Sequence, residues 1–203
     1  PGDGKSRSYP DQNVTRDAIL QTYLIKIPLK NYGNVSSLAE NKMEETLASD
    51  VGVTQLNVYN HASISSIGVA VDGVMIYPLL NNTLVSAQQK AEITNTGIHV
   101  GRGMGLHWHA DGHSATGNGL NLYNLADYAG KSHPPLIGFG FDGIALFGKY
   151  ETAYHDMDGV HDLLDSFGGH AHDNYGYHYH AHSAPSSVIG DSRDYTLHIL
   201  MKG

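Results

Sequence analysis

A mainly β, internally duplicated domain is the fold class this sequence predicts, with an N-terminal extension, a short N-terminal helix and few other helical turns. Three observations predict it. IGVAVDGVMIYP (67–78) and IGFGFDGIALFG (137–148) align at an offset of 70, and each reads as two apolar β runs around Asp-Gly. HVGRGMGLHWHA (99–110) and HAHDNYGYHYHA (170–181) align at an offset of 71, with five of twelve residues identical. Upstream, His61 and His133 precede the hairpin segments at an offset of 72. A module of strands and tight turns, present twice, accounts for all three.

Taken in order, residues 1–16 are polar and carry Gly and Pro, so they read as an arm. Gln21–Leu29 alternates and is rich in β-formers, which predicts a strand. Ser37-Leu38-Ala39-Glu40 fits a capping box, which predicts a short helix over 38–49. Residues 53–59 alternate again and predict another strand. The two Asp-Gly hairpins predict type I′ turns. Asp72 and Asp142 then have two readings: turn residues, or carboxylates that orient neighbouring histidines. Between the repeats, 120–131 predicts one helical turn or two, and DYTLHILM near the end predicts a last strand. The organisation expected is an arm, strand and helix over 1–50, followed by one duplicated unit over 51–203, with copies at about 61–119 and 133–190.

Composition removes several function classes. The formal charge of −8 lacks the basic footprint that nucleic-acid binding requires. No apolar run approaches the roughly 20 residues needed to span a bilayer. Cysteine is absent, which excludes thiolate metal sites, iron–sulfur clusters, disulfides and cysteine nucleophiles. Gly138-Phe139-Gly140-Phe141-Asp142-Gly143 fits G-x-G-x-x-G, but it sits in a hairpin with no helix after it, so it is no dinucleotide site. The fragment Asp156-Met157-Asp158-Gly159 lacks the remaining ligands of a calcium loop. No G-x-S-x-G elbow for serine hydrolysis occurs. Three sequons, at Asn13, Asn34 and Asn81, together with the Tyr- and Gly-rich composition, point to a secreted, glycosylated chain.

The chemistry lies in the histidines. His-x7-His-x-His occurs twice, as His99, His107, His109 and as His170, His178, His180, and His61 and His133 are next in line. Residues two apart on a strand face the same way, so each H-x-H pair presents two imidazoles to one side. Trp108, Tyr177 and Tyr179 then face the other side. Three or four imidazoles suit a transition metal, copper or zinc, and suit calcium or magnesium poorly. Competing readings are a network of mutually bonded imidazoles and ordinary surface histidines. His172 and His182 occur only in the second copy, so the two sites need not be alike.

The order of a first His, an Asp-Gly hairpin, Gly168-Gly169-His170 and Tyr177-His178-Tyr179-His180 resembles the YHYH domain family over roughly residues 52–185. The resemblance implies an extracellular protein and does not by itself imply a reaction. The cysteine that members often carry before the Gly-His turn is replaced here, by Asn95-Thr96-Gly97 and Ser166-Phe167-Gly168. The first copy reads Leu106-His107-Trp108-His109 in place of the family motif. The function expected is extracellular transition-metal binding. The alternatives are a subunit of an extracellular filament or matrix, self-associating through the N-terminal arm, and a metal-dependent hydrolase or copper oxidoreductase.

Overall fold

The computed structural model of the chain describes residues 22, 24, 25, 27, 66–80, 93, 97–100, 105–111, 121–149, 151–152, 155–156 and 164–202. Its elements are almost all strands. β1 (Gly68–Ala70), β2 (Met75–Ile76), β3 (Ile98–Val100), β4 (Leu106–Trp108), β5 (Leu136–Gly140), β6 (Ala145–Phe147), β9 (Gly169–His172) and β10 (Tyr175–His180) form one eight-stranded sheet. β7 (Glu151–Thr152) pairs with β8 (His155–Asp156), and β11 (His182–Pro185) pairs with β12 (Thr196–Ile199). Among the described residues there are also two 3-10 turns, Leu125–Tyr128 and Ser186–Ile189. The first carries a full capping box, with Asn124 as cap and Asp127 reaching back.

The large sheet runs β3-β4-β2-β1-β5-β6-β10-β9, and it reads alike outward from its β1–β5 centre. β1 and β5 are antiparallel, with Val69 opposite Phe139. On one side β2 pairs parallel with β4, placing Ile76 opposite Trp108. On the other side β6 pairs parallel with β10, placing Leu146 opposite Tyr179. Each end is an antiparallel pair, with His99 opposite His107 and His170 opposite His178. Glycine lets the central strands approach closely. A Cβ on Gly138 would lie 2.7 Å from the Val69 carbonyl oxygen.

Period-2 alternation sorts the side chains. Ile76, Ile98, Trp108, Ile137, Leu146 and Tyr179 are buried in one apolar core. Their sequence neighbours His107, His109, His178 and His180 face the opposite way and are buried as well. A second small cluster of Leu79, Leu197 and Ile199 lies under β11 and β12.

Both Asp-Gly segments are hairpin turns, but not of the expected type. The Gly73 amide donates to the Ala70 carbonyl at 2.9 Å, and Gly143 repeats this with Gly140 at 3.0 Å. The glycines have φ of 83° and 85°, while neither aspartate has positive φ. A type I′ turn needs positive φ at both central residues. These are three-residue loops whose last residue is the left-handed glycine. The aspartates stay in ordinary backbone and use their carboxylates instead, accepting from the Val74 and Ile144 amides at 2.9 and 3.0 Å.

Some expectations fall elsewhere. The helix over 38–49, the strand over 53–59, His61 and the sequons at Asn13, Asn34 and Asn81 lie outside the described residues. Of the strand expected over Gln21–Leu29, Thr22, Leu24, Ile25 and Ile27 are described and adopt no strand. Leu24 is 92% exposed. Alternation makes a strand only where a neighbour accepts its ladder, and these four residues have no ladder partner among the described residues.

Candidate metal centres

The two ends of the large sheet each gather histidines. At one end the donor atoms of His99 on β3, His107 on β4 and His109 just beyond it all lie within 4.8 Å of one another. Their ring centroids are 4.6, 5.0 and 4.9 Å apart for the pairs 99–107, 99–109 and 107–109. Tyr77 forms a wall, its ring 4.2 Å from that of His107. At the other end His133, His172, His178 and His180 bring their donor atoms within 4.8 Å of one another. His170 packs among them, 5.0 Å from both His178 and His180. Phe147 occupies the wall position here, 5.1 Å from His178.

The rings are aimed by their Nδ1 atoms. His107 Nδ1 donates to the Gly105 carbonyl at 2.9 Å, and His178 Nδ1 donates to the Gly176 carbonyl at 2.7 Å. His109 Nδ1 donates to the Pro78 carbonyl at 2.7 Å, and His180 Nδ1 to the Gly148 carbonyl at 2.9 Å. His133 Nδ1 donates to the Pro134 carbonyl at 3.0 Å. A carbonyl oxygen only accepts, so each of these Nδ1 atoms carries the proton. In a neutral ring Nε2 is then the lone-pair atom. His172 is held differently, by the Asp173 carboxylate 3.0 Å from its Nδ1. Carboxylate–histidine pairs of this kind fix the tautomer of metal ligands and raise their basicity.

Burial favours the neutral form of His107, His109, His133, His178 and His180. It pulls His107 down to about 4, with the His109 charge adding to the effect and the Gly105 hydrogen bond opposing it. It pulls His178 down to about 4 as well, helped by His133, His170 and His172. His109, His133 and His180 are lowered chiefly by the same desolvation.

One contact has a direct chemical consequence. His133 Nε2 and His178 Nε2 are 3.1 Å apart, and both rings hold their proton on Nδ1. With Nδ1 as the donor atom in both rings, each Nε2 brings a lone pair to this contact. A cation between them resolves the conflict. In a tetrahedral site with metal–nitrogen bonds of about 2.0–2.1 Å, donor nitrogens stand roughly 3.3 Å apart, close to what is seen.

Of the histidines expected from sequence, His99, His107 and His109 come together, as do His133, His178 and His180. His170 joins the second group by ring contact, while its donor atoms fall outside the tight set. His172 was not among the expected ligands. Its signal was present, because His170-x-His172 on β9 is itself an H-x-H pair. His182 continues the alternation on paper but leaves the site. The chain passes at Ala181 from β10 into β11, where His182 packs on Gly168 and donates Nδ1 to the His180 carbonyl at 3.0 Å.

The reading of Asp72 and Asp142 as orienters of histidine is corrected. Asp72 accepts from Trp108 Nε1 at 3.3 Å, and Asp142 accepts from the Tyr179 hydroxyl at 2.7 Å. They hold the residue between the two histidines, on the other face. Tyr177 likewise points away and donates to Asp165 at 2.8 Å. The H-x-H strands are thus pinned from behind, and the imidazoles are pinned by carbonyls in front.

Comparison with protein-family models, curated proteins and solved structures finds no match for this chain. Two groups of histidines within metal-binding distance define a candidate metal-binding protein of mainly β fold. Among the described residues no helix is long and apolar enough to cross a membrane.

Proposed function

We propose that this chain is an extracellular transition-metal-binding protein, taking copper or zinc in imidazole sites at both ends of its large sheet. The observation that carries the reading is the His133–His178 pair, whose Nε2 atoms meet at 3.1 Å while both Nδ1 protons are engaged elsewhere. Both rings are neutral near pH 7, because burial lowers them. A network of mutually bonded imidazoles needs a donor at that contact, whereas the Nδ1 protons of this pair go to the Pro134 and Gly176 carbonyls.

The two sites descend from one duplicated module. Support comes from the repeated sequence and from the matched bonds, in which His109 and His180 each reach a carbonyl just past β2 or β6. Membership of the YHYH family, secretion and glycosylation at Asn13, Asn34 and Asn81 belong to the same proposal and rest on the motifs and sequons. The ion cross-links distant parts of the chain. At the second site it joins β9 and β10 to the segment before β5, doing for a cysteine-free chain what a disulfide does elsewhere.

Elemental analysis of the purified chain, before and after reconstitution with Cu(II) or Zn(II), tests this. Copper or zinc in whole-number ratio to protein is expected, with a melting temperature that falls on chelation. A chain that takes up neither metal, and whose melting temperature ignores chelator, overturns it.

A further inference from the structure

The second site holds more imidazoles than a tetrahedral ion can use. His178 lies centrally, its ring 5.0, 5.0, 5.1 and 4.8 Å from those of His133, His170, His172 and His180. Those four follow one another in a closed loop. His133 is 5.3 Å from His172, His172 is 4.6 Å from His170, His170 is 5.0 Å from His180, and His180 is 5.2 Å from His133. A four-membered ring capped by a fifth vertex is a square pyramid. Imidazoles seated that way on one ion, with bonds of about 2.0–2.1 Å, have neighbouring centroids roughly 4.5–5 Å apart.

His170 has a place in this array for a second reason. It stands opposite His178 in register, as His99 stands opposite His107. The triad 170, 178, 180 has ring spacings of 5.0, 5.0 and 4.8 Å, against 4.6, 5.0 and 4.9 Å in the first site. The second site therefore holds the same triad, with His133 and His172 packed beside it.

We propose that the second site binds its ion through five imidazoles, with His178 at the apex over His133, His172, His170 and His180, and that this tetragonal sphere selects Cu(II) over Zn(II). The proposal rests on the metal-binding reading above and adds the ligand number and the selectivity. Cu(II) favours tetragonal nitrogen sites, whereas Zn(II) settles into four-coordinate tetrahedral ones. A fifth imidazole strengthens the first ion and offers the second nothing. Binding draws the His170 donor inward to complete the base.

The test isolates the second site by replacing His107 and His109 with alanine. Copper sulfate and zinc sulfate are then titrated separately and in competition, with electron paramagnetic resonance on the copper form. A single tetragonal Cu(II) signal is expected. In that background His170→Ala weakens Cu(II) by roughly tenfold or more, the weight of about 1.4 kcal/mol. The same change alters the spectrum and leaves Zn(II) affinity nearly untouched. His170→Gln, which keeps a polar side chain on the strand, should behave alike, and circular dichroism of each metal-free variant checks that it folds. Unchanged copper affinity and spectrum in a folded His170 variant overturns the five-imidazole sphere and leaves metal binding standing. Failure of the isolated second site and of the intact chain to bind either ion overturns the metal reading itself.

Discussion

At the scale of single residues, the candidate metal ligands are aimed by what lies behind them. Asp173 is largely exposed, and its carboxylate is the partner of His172 Nδ1. Asp173→Asn should weaken metal at the second site by about 10–100-fold while leaving the melting temperature of the metal-free chain nearly unchanged. Isothermal titration of the variant reads this directly. Gly97 makes a different demand. Its φ is 85°, and a Cβ there would lie 2.0 Å from the Ala110 carbonyl oxygen. His109 donates its amide to the Gly97 carbonyl at 2.9 Å, so the glycine also positions a candidate ligand. Gly97→Ala should lower stability by several kcal/mol, at the upper end for point substitutions, measured by chemical denaturation. Histidine spacing made most of the candidate ligands legible. The carbonyls of Gly105, Pro78, Gly176 and Gly148 were not, because any residue supplies a carbonyl and only the folded backbone aims it.

At the scale of elements, each hairpin aspartate does two jobs. Asp142 caps its own turn at Ile144 and holds Tyr179 from β10, and Asp72 does the same for Val74 and Trp108. The hairpin thereby locks the strand that carries the histidines. Tyr179→Phe deletes one of these bonds in a buried setting and should cost about 1–3 kcal/mol in denaturant unfolding. The loss should exceed that for Trp108→Phe, whose bond is longer at 3.3 Å against 2.7 Å. A result in the reverse order would show that ring packing, not the carboxylate, sets the strand. Period and turn residues announced these hairpins in the sequence. The turn type was misread because Asp-Gly suits two loop lengths, and only the strand register chooses between them.

Over the whole molecule, the sheet ends are where stability and the proposed metal binding meet. Burial lowers His109, His133 and His180 below their unfolded value of about 6.5, and lowers His107 and His178 to about 4. Between those limits the unfolded chain binds more protons than the folded one. Their contribution is complete above about pH 6.5 and is lost as pH falls toward about 4. The metal-free protein should therefore unfold more easily across that window, seen as a falling denaturant midpoint. Metal should leave in the same range, since protons compete for the same Nε2 atoms. Full metal occupancy at pH 4 would contradict the assignment.

Sequence by itself determined the β class, the two hairpins, the terminal strand and the side of each strand on which the imidazoles lie. All of these follow from alternation and turn chemistry, which act over a few neighbouring residues. Tertiary structure alone decided which imidazoles come within reach of a single ion. His133 meets His178 across 45 residues of chain because β6 lies between β5 and β10. His172 enters and His182 leaves because the chain reverses at Asp173, where φ is 49°, and passes to another sheet after Ala181. Local preference sets a side chain's face, whereas convergence on a point depends on how strands are ordered, and that order is settled by packing over the whole chain.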